Sequence, residues 1–194
     1  DGNQNGNKVV TFSNGEDHNS ILKGLTITNG YTISNSGAGV LISNSNPKIE
    51  HCKIVDNNAY ASDGGGIWIK DSDSSVISNV IFVNNSSGPN GSAIGIQNSS
   101  PNVVSCIFQN NNNNAIWIGG IDSSPVFKNC LITNNQSYAI YTSYSNPSFY
   151  NCTIVNNSTA YHITNGSSTV INNSIIYNNS GDTDFISSVL FGNT

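Results

Sequence analysis

Apolar and polar residues alternate with a period of two along this 194-residue chain, in runs of three to five residues broken by Asn, Ser and Gly. Nowhere do they take the i, i+3, i+4 spacing of an amphipathic helix, so the pattern predicts short half-buried strands throughout. The runs recur in units. Aligned on the middle run of each, Leu25, Cys52, Val80, Cys106, Cys130, Cys152 and Ser174 share one column, at spacings of 27, 28, 26, 24, 22 and 22 residues. Two residues on lie Ile27, Ile54, Phe82, Phe108, Ile132, Ile154 and Ile176; three residues back lie Leu22, Ile49, Ile77, Val103, Phe127, Phe149 and Ile171. Both columns are wholly apolar.

A third run adds Val40, Ile67, Ile94, Ile116 and Ile140, then Ile42, Ile69, Ile96, Ile118 and Thr142. Four residues after the alignment column stand Asn29, Asp56, Asn84, Asn110, Asn134, Asn156 and Asn178, side chains suited to the left-handed backbone of a sharp corner. Three short strands per unit with equivalent residues stacked from unit to unit describe an all-β, single-stranded parallel β-helix of about seven coils of 22–28 residues. The expected organisation is a single domain over 1–194, with a partial coil over 1–19 and seven coils over 20–191. At the usual strand spacing seven coils make a rod of roughly 34 Å, with stacked Asn side chains adding amide ladders along it. The variable loop before the third run shortens from the second unit to the fifth, at one corner of the coil.

The runs Ile21-Leu22-Lys23-Gly24-Leu25-Thr26-Ile27-Thr28-Asn29-Gly30 and Gly64-Gly65-Gly66-Ile67-Trp68-Ile69, with Ser-Pro or Asn-Pro unit openings, resemble the right-handed parallel β-helix (pectate-lyase-like) superfamily. Within it the chain is most similar to non-catalytic secreted or surface-exposed bacterial repeat proteins. The resemblance implies a right-handed coil and covers nearly the whole chain. Lyases of the family use acidic residues to hold calcium and a basic side chain, commonly Arg, as base; its hydrolases cluster Asp with His and basic residues. This chain has no Arg, no Asp-Asp pair and two Glu, so the catalytic residues of neither class can be carried over. No catalytic site, metal site or cofactor is expected.

Composition narrows the partners. Charged residues make up 9% of the chain and the net charge is −5, against roughly 25% charged residues in ordinary domains. That excludes a basic nucleic-acid face, and no membrane span is present. The 35 Asn and 30 Ser would suit a low-complexity polymer, had the repeat not given them positions. Absence of Met, including at position 1, leads us to expect that the chain begins inside a longer or processed precursor, secreted to the exterior or the cell surface.

Four cysteines in an inward column read as buried thiols, because the stacked Cβ atoms of Cys106, Cys130 and Cys152, about 4.8 Å apart, exceed the roughly 3.8 Å of a disulfide; a bond between neighbours of that trio is the alternative, and Val80 separates Cys52 from it. His18, His51 and His162 have no stacked carboxylate partner. Lys23 and Glu50 stack as an exposed ion pair, and Asp71-Ser72-Asp73 reads as a solvated turn. The outward column of the third strands runs Thr11, Leu41, Trp68, Gly95, Trp117, Tyr141 and His162, with the tryptophans two coils or roughly 10 Å apart. Trp68, Trp117, Tyr141 and His162 are therefore candidates for stacking on sugar rings or on another protein, unless a loop folds over them. The outward positions of the middle strands, Ile81, Val83, Ile107, Leu131, Val155, Ile175 and Tyr177, form an apolar stripe of a few hundred Å², the size at which patches signal contacts. They are the candidate lateral interface. Eleven Asn-x-Ser/Thr sequons occur, little above chance for this composition. Asn84, Asn90, Asn98, Asn135, Asn151, Asn157, Asn165 and Asn178 are the candidate glycosylation sites among them. Thr26 and Thr28 do not continue into a Thr-rich face, which disfavours ice binding. The reading preferred is a non-catalytic segment of a surface adhesin or fibre that associates with itself end to end through open terminal coils or laterally through the apolar outer face; the alternative is a carbohydrate-binding or carbohydrate-active β-helix.

Overall fold

Each turn of the chain supplies three short strands, and each strand finds its partner one turn away. A computed structural model describes residue 2, residues 6–181 and residues 190–192. The expected N-terminal partial coil and the end of the seventh coil lie partly outside the described residues. Every regular element described is a β-strand and every pairing is parallel. Seven third strands pair in the order Val10–Phe12, Val40–Ser43, Ile67–Lys70, Ile94–Gln97, Ile116–Ser123, Tyr138–Ser145 and Thr159–Thr164. Eight first strands, from Ile21–Lys23 to Leu190–Gly192, and seven middle strands, from Thr26–Thr28 to Ile175–Tyr177, form the other two large sheets.

The register is the one the columns require. Leu22, Ile49, Ile77, Val103, Phe127, Phe149 and Ile171 face one another across the first-strand sheet. Ile27 through Ile176 do so across the middle-strand sheet. These residues and the third-strand isoleucines make one continuous core. Within it rings stack along the axis, Phe82 on Phe108 at 4.8 Å and Phe127 on Phe149 at 4.6 Å. Leu25 departs from the expected inward column, being 52% exposed. Thr26–Thr28 is the last strand of its sheet among the described residues, so Leu25 has a stacked neighbour on one side only. The longer early units carry a small fourth sheet that the sequence pattern did not distinguish, made of Tyr31–Thr32, Asn58–Ala59 and Ser86–Ser87.

All three corners of the coil are built alike. A left-handed residue turns the chain, and the next residue sends a small side chain inward to stack on its equivalent, except at Ser123, where the left-handed residue is Gly120 (φ 105°), three residues earlier. At the corner after the middle strand the turning residues are the predicted column from Asn29 to Asn178, with φ from 54° to 59°. The inward neighbours are Asn57, Asn85, Asn111, Asn135, Asn157 and Asn179, and the Nδ2 group of each of the first five donates to the next Oδ1 at 2.8–3.1 Å. At the corner after the third strand Ser45, Ser72, Ser99, Ser123, Ser145 and Ser167 stack, the Ser72 and Ser99 amides donating to the next Oγ at 3.0 and 3.2 Å. At the corner between first and middle strands the inward column is the cysteine column.

Candidate functional site

The outward column of the third strands is aligned as expected, Leu41, Trp68, Gly95, Trp117, Tyr141 and His162 being register partners in turn. Its spacing is different. Trp68 and Trp117 are stacked with centroids 5.6 Å apart and 17° between planes, about half the separation that two coils of strand spacing impose. Gly95 is the reason: a Cβ there would lie 2.4 Å from Trp68 Cε3, so the missing side chain is the space the indole occupies as it leans toward Trp117. From the other side the loop of the second unit crosses the strand at Gly64, φ 66°, where a Cβ would lie 2.7 Å from Trp68 Cβ. Trp68 is left 5% exposed. It is thus corrected from an exposed platform to a covered ring, and Trp117 presents the accessible part of the pair.

One coil further along, a second ring cluster takes over. Tyr138 stacks on His162 at 4.8 Å, Tyr141 lies 5.1 Å from His162, and Tyr138 and Tyr141 are 6.1 Å apart. Tyr138 was missed in the sequence because it begins its strand, three residues before Tyr141 and out of step with the alternation. At the same sheet's far corner Ile121 and Tyr144, 77% and 56% exposed, line an open cleft of about 250 Å³ with Asn146, Asn165 and Gly166.

The middle-strand face resolves into two adjacent outward columns. One is Lys53, Ile81, Ile107, Leu131, Thr153 and Ile175; the other is Val55, Val83, Gln109, Thr133, Val155 and Tyr177. From Ile81 onward neither carries a charge. Ile175 and Tyr177 are the most exposed, at 60% and 71%, and Ile81 reaches 39%. Ile107, Leu131, Val83 and Val155 are half-buried between their neighbours.

Ionisable groups are engaged locally. Lys23 and Glu50 pair at 3.3 Å. Glu16 accepts from the Asn14 amide and from Ser45 Oγ, and these bonds hold its carboxyl below the ordinary range, the Asn14 amide foremost. Asp71 and Asp73 point outward on either side of Ser72, which is buried and bonds inward to Ser45 and Ser75. His18 Nε2 meets the Ser74 carbonyl at 2.6 Å, and His51 is itself a corner residue, φ 52°. Cys52, Cys106, Cys130 and Cys152 are free and buried. Their thiols lie 3.3–3.4 Å from the carbonyls two residues back, repeating with sulfur the inward bonds of the Asn ladder. Hydrogen bonding with Cys106, then burial, pushes the Cys130 thiol up to about 12. The same two causes, with Cys130 as the partner, raise Cys152.

The sequons divide by corner position. Asn84, Asn98, Asn151, Asn165 and Asn178 are exposed turning residues and Asn90 is half-buried. Asn135 and Asn157 are corrected: each is 2% exposed and spends its amide on the inner ladder, so no glycan can be carried there in the folded chain.

A family model described as a right-handed beta helix region matches residues 3–124 and 92–190. No curated protein and no solved structure matches the chain.

Proposed function

Because the chain belongs to the right-handed β-helix family, we propose that it is a non-catalytic, extracellular structural segment of a surface adhesin or fibre, associating with copies of itself through the middle-strand face. The observation that carries this reading is the pair of uncharged columns from Ile81 and Val83 to Ile175 and Tyr177, which expose isoleucine and tyrosine on one parallel sheet. Apolar, strand-rich surfaces of this kind favour packing against a like surface. Most of the polar side chains at the corners hold the coil together. Burial of the four thiols removes them from disulfide exchange and suits an oxidising exterior.

Sedimentation of the purified chain over a wide concentration range tests it. The expected result is reversible association that Ile107→Lys with Leu131→Lys abolishes while the far-ultraviolet circular dichroism is kept. A wild-type chain that stays monomeric throughout overturns the reading. A second reading, a carbohydrate-binding face, is favoured by the cluster of Trp117, Tyr138, Tyr141 and His162 on the third-strand sheet. Rings of this kind can stack on sugar faces, and no lysine stands among them. The lysine variant leaves those rings untouched, so its retention on a neutral polysaccharide column would favour this second reading over the first.

A further inference from the structure

Four Asn-Gly pairs fall among the described residues: Asn14 with Gly15, Asn29 with Gly30, Asn90 with Gly91 and Asn165 with Gly166. Such a pair can modify itself if the glycine nitrogen is free to reach the preceding carboxamide carbon, since no side chain obstructs the approach. The fold treats the four pairs differently. The Gly30 amide donates to Asn57 Oδ1 at 2.9 Å inside the amide ladder. Gly91 is buried, with space for a Cβ denied by the Ile94 carbonyl at 2.5 Å, and the Asn90 side chain is hydrogen-bonded to Asp63. Asn14 and Gly15 are exposed, yet the Gly15 amide donates to Ser45 Oγ at 3.2 Å.

The last pair is built differently. Asn165 (φ 53°) and Gly166 (φ 72°) are the two central residues of a turn closed by the Ser167 amide on the Thr164 carbonyl at 3.1 Å, the mirror-image type I geometry. Both are exposed, and a Cβ on Gly166 would meet nothing within 4 Å. One bond restrains the carboxamide, from Nδ2 to Ser143 Oγ at 2.9 Å on the surface.

We propose that Asn165 is a self-modification site of the folded chain, converting to aspartate and isoaspartate. The Gly166 nitrogen, losing its proton to solvent base, attacks Asn165 Cγ. A C–N bond forms, the Cγ–Nδ2 bond breaks and ammonia leaves with a proton from water. Water then opens the cyclic imide at either carbonyl. The product places a carboxylate at the mouth of the cleft lined by Ile121 and Tyr144 and removes the donor to Ser143. Its isoaspartate form also lengthens the backbone at a corner of the coil.

Peptide mapping by mass spectrometry tests this on the full chain, produced in a host that adds no N-glycans and incubated folded at mildly alkaline pH. A one-dalton gain with an isoaspartate product is expected first at Asn165, with Asn29 and Asn90 unchanged. In denaturant all four pairs should react at similar rates. Gly166→Ala should suppress the gain, Ser143→Ala should hasten it, and Ser45→Ala, which frees the Gly15 amide, should release Asn14. The proposal is overturned if Asn165 reacts no faster than Asn29 or Asn90 in the folded chain, or if the order is the same folded and unfolded.

Discussion

Adjacent asparagines in the repeated Asn pair do different physical work. Asn110 sits at φ 55° and faces solvent; what it contributes is tolerance of the left-handed backbone, which a Cβ-bearing residue without a local hydrogen bond takes up at a cost of about 1–2 kcal/mol. Asn111 is fully buried. Its Nδ2 serves the Phe82 and Gln109 carbonyls and Asn135 Oδ1, and its Oδ1 accepts from both the backbone and the side chain of Asn85. Truncation there strands several buried groups at about 1–3 kcal/mol each before relaxation. Asn111→Ala should therefore lower stability by about 3 kcal/mol or more, Asn110→Ala by about 1 kcal/mol and Asn110→Gly by less. Urea denaturation of the three variants decides it, and equal losses at the two positions would show that the buried ladder is not what holds this corner.

At the scale of a single ladder, the cysteine column couples the fold to pH. In the folded chain the Cys130 thiol keeps its proton until about pH 12, against an ordinary value of 9.0, because ionising it would cost its bond to Cys106 and bury a charge. The unfolded chain releases that proton earlier. The stabilisation is complete below pH 9.0 and is lost as pH rises toward about 12, at up to about 1.4 kcal/mol per pH unit for one thiol. Val80 already occupies the same column, so Cys130→Val should fold normally and show a shallower alkaline loss than wild type in paired melts over that window. Parallel curves would remove the thiol from the account. The columns behind these ladders were legible in the sequence because a parallel coil repeats each environment, so an apolar or turning residue is read seven times over. The turning Asn of each pair was legible through its column, but the burial of its neighbour was not, since both carry the same side chain and the ladder partner that takes up the inward amide lies one coil away. Nor could Trp68 be placed: its burial depends on a loop crossing its strand and on the space left by Gly95 one coil away. The ring cluster was half visible, Tyr141 and His162 through alternation and Tyr138 only through contact.

For the whole molecule, stability of a solenoid is close to a sum of coils and nearest-neighbour contacts, so a complete unit should be removable if every column is rejoined in register. Excising residues 131–152 joins Cys130 to Thr153, as Cys152 is joined to it now, and removes one 22-residue coil. Asn111 then meets Asn157, Ser123 meets Ser167 and Trp117 meets His162, each the next member of its own column. The shortened chain should keep its β circular dichroism and unfold cooperatively at a somewhat lower temperature. Excising 131–151 removes one residue fewer and joins Cys130 to Cys152. Because side chains alternate with a period of two, that single extra residue must be absorbed at the corner or it turns the next inward residues outward. The corner has no room for it, since the left-handed Asn129 (φ 55°) and the buried Cys130 already occupy its turning and inward positions. The second deletion should thus lose far more stability than the first, although it removes less of the protein. Thermal melts of the two side by side measure the difference, and matched transitions would mean that the coil tolerates register errors its corner ladders are built to forbid.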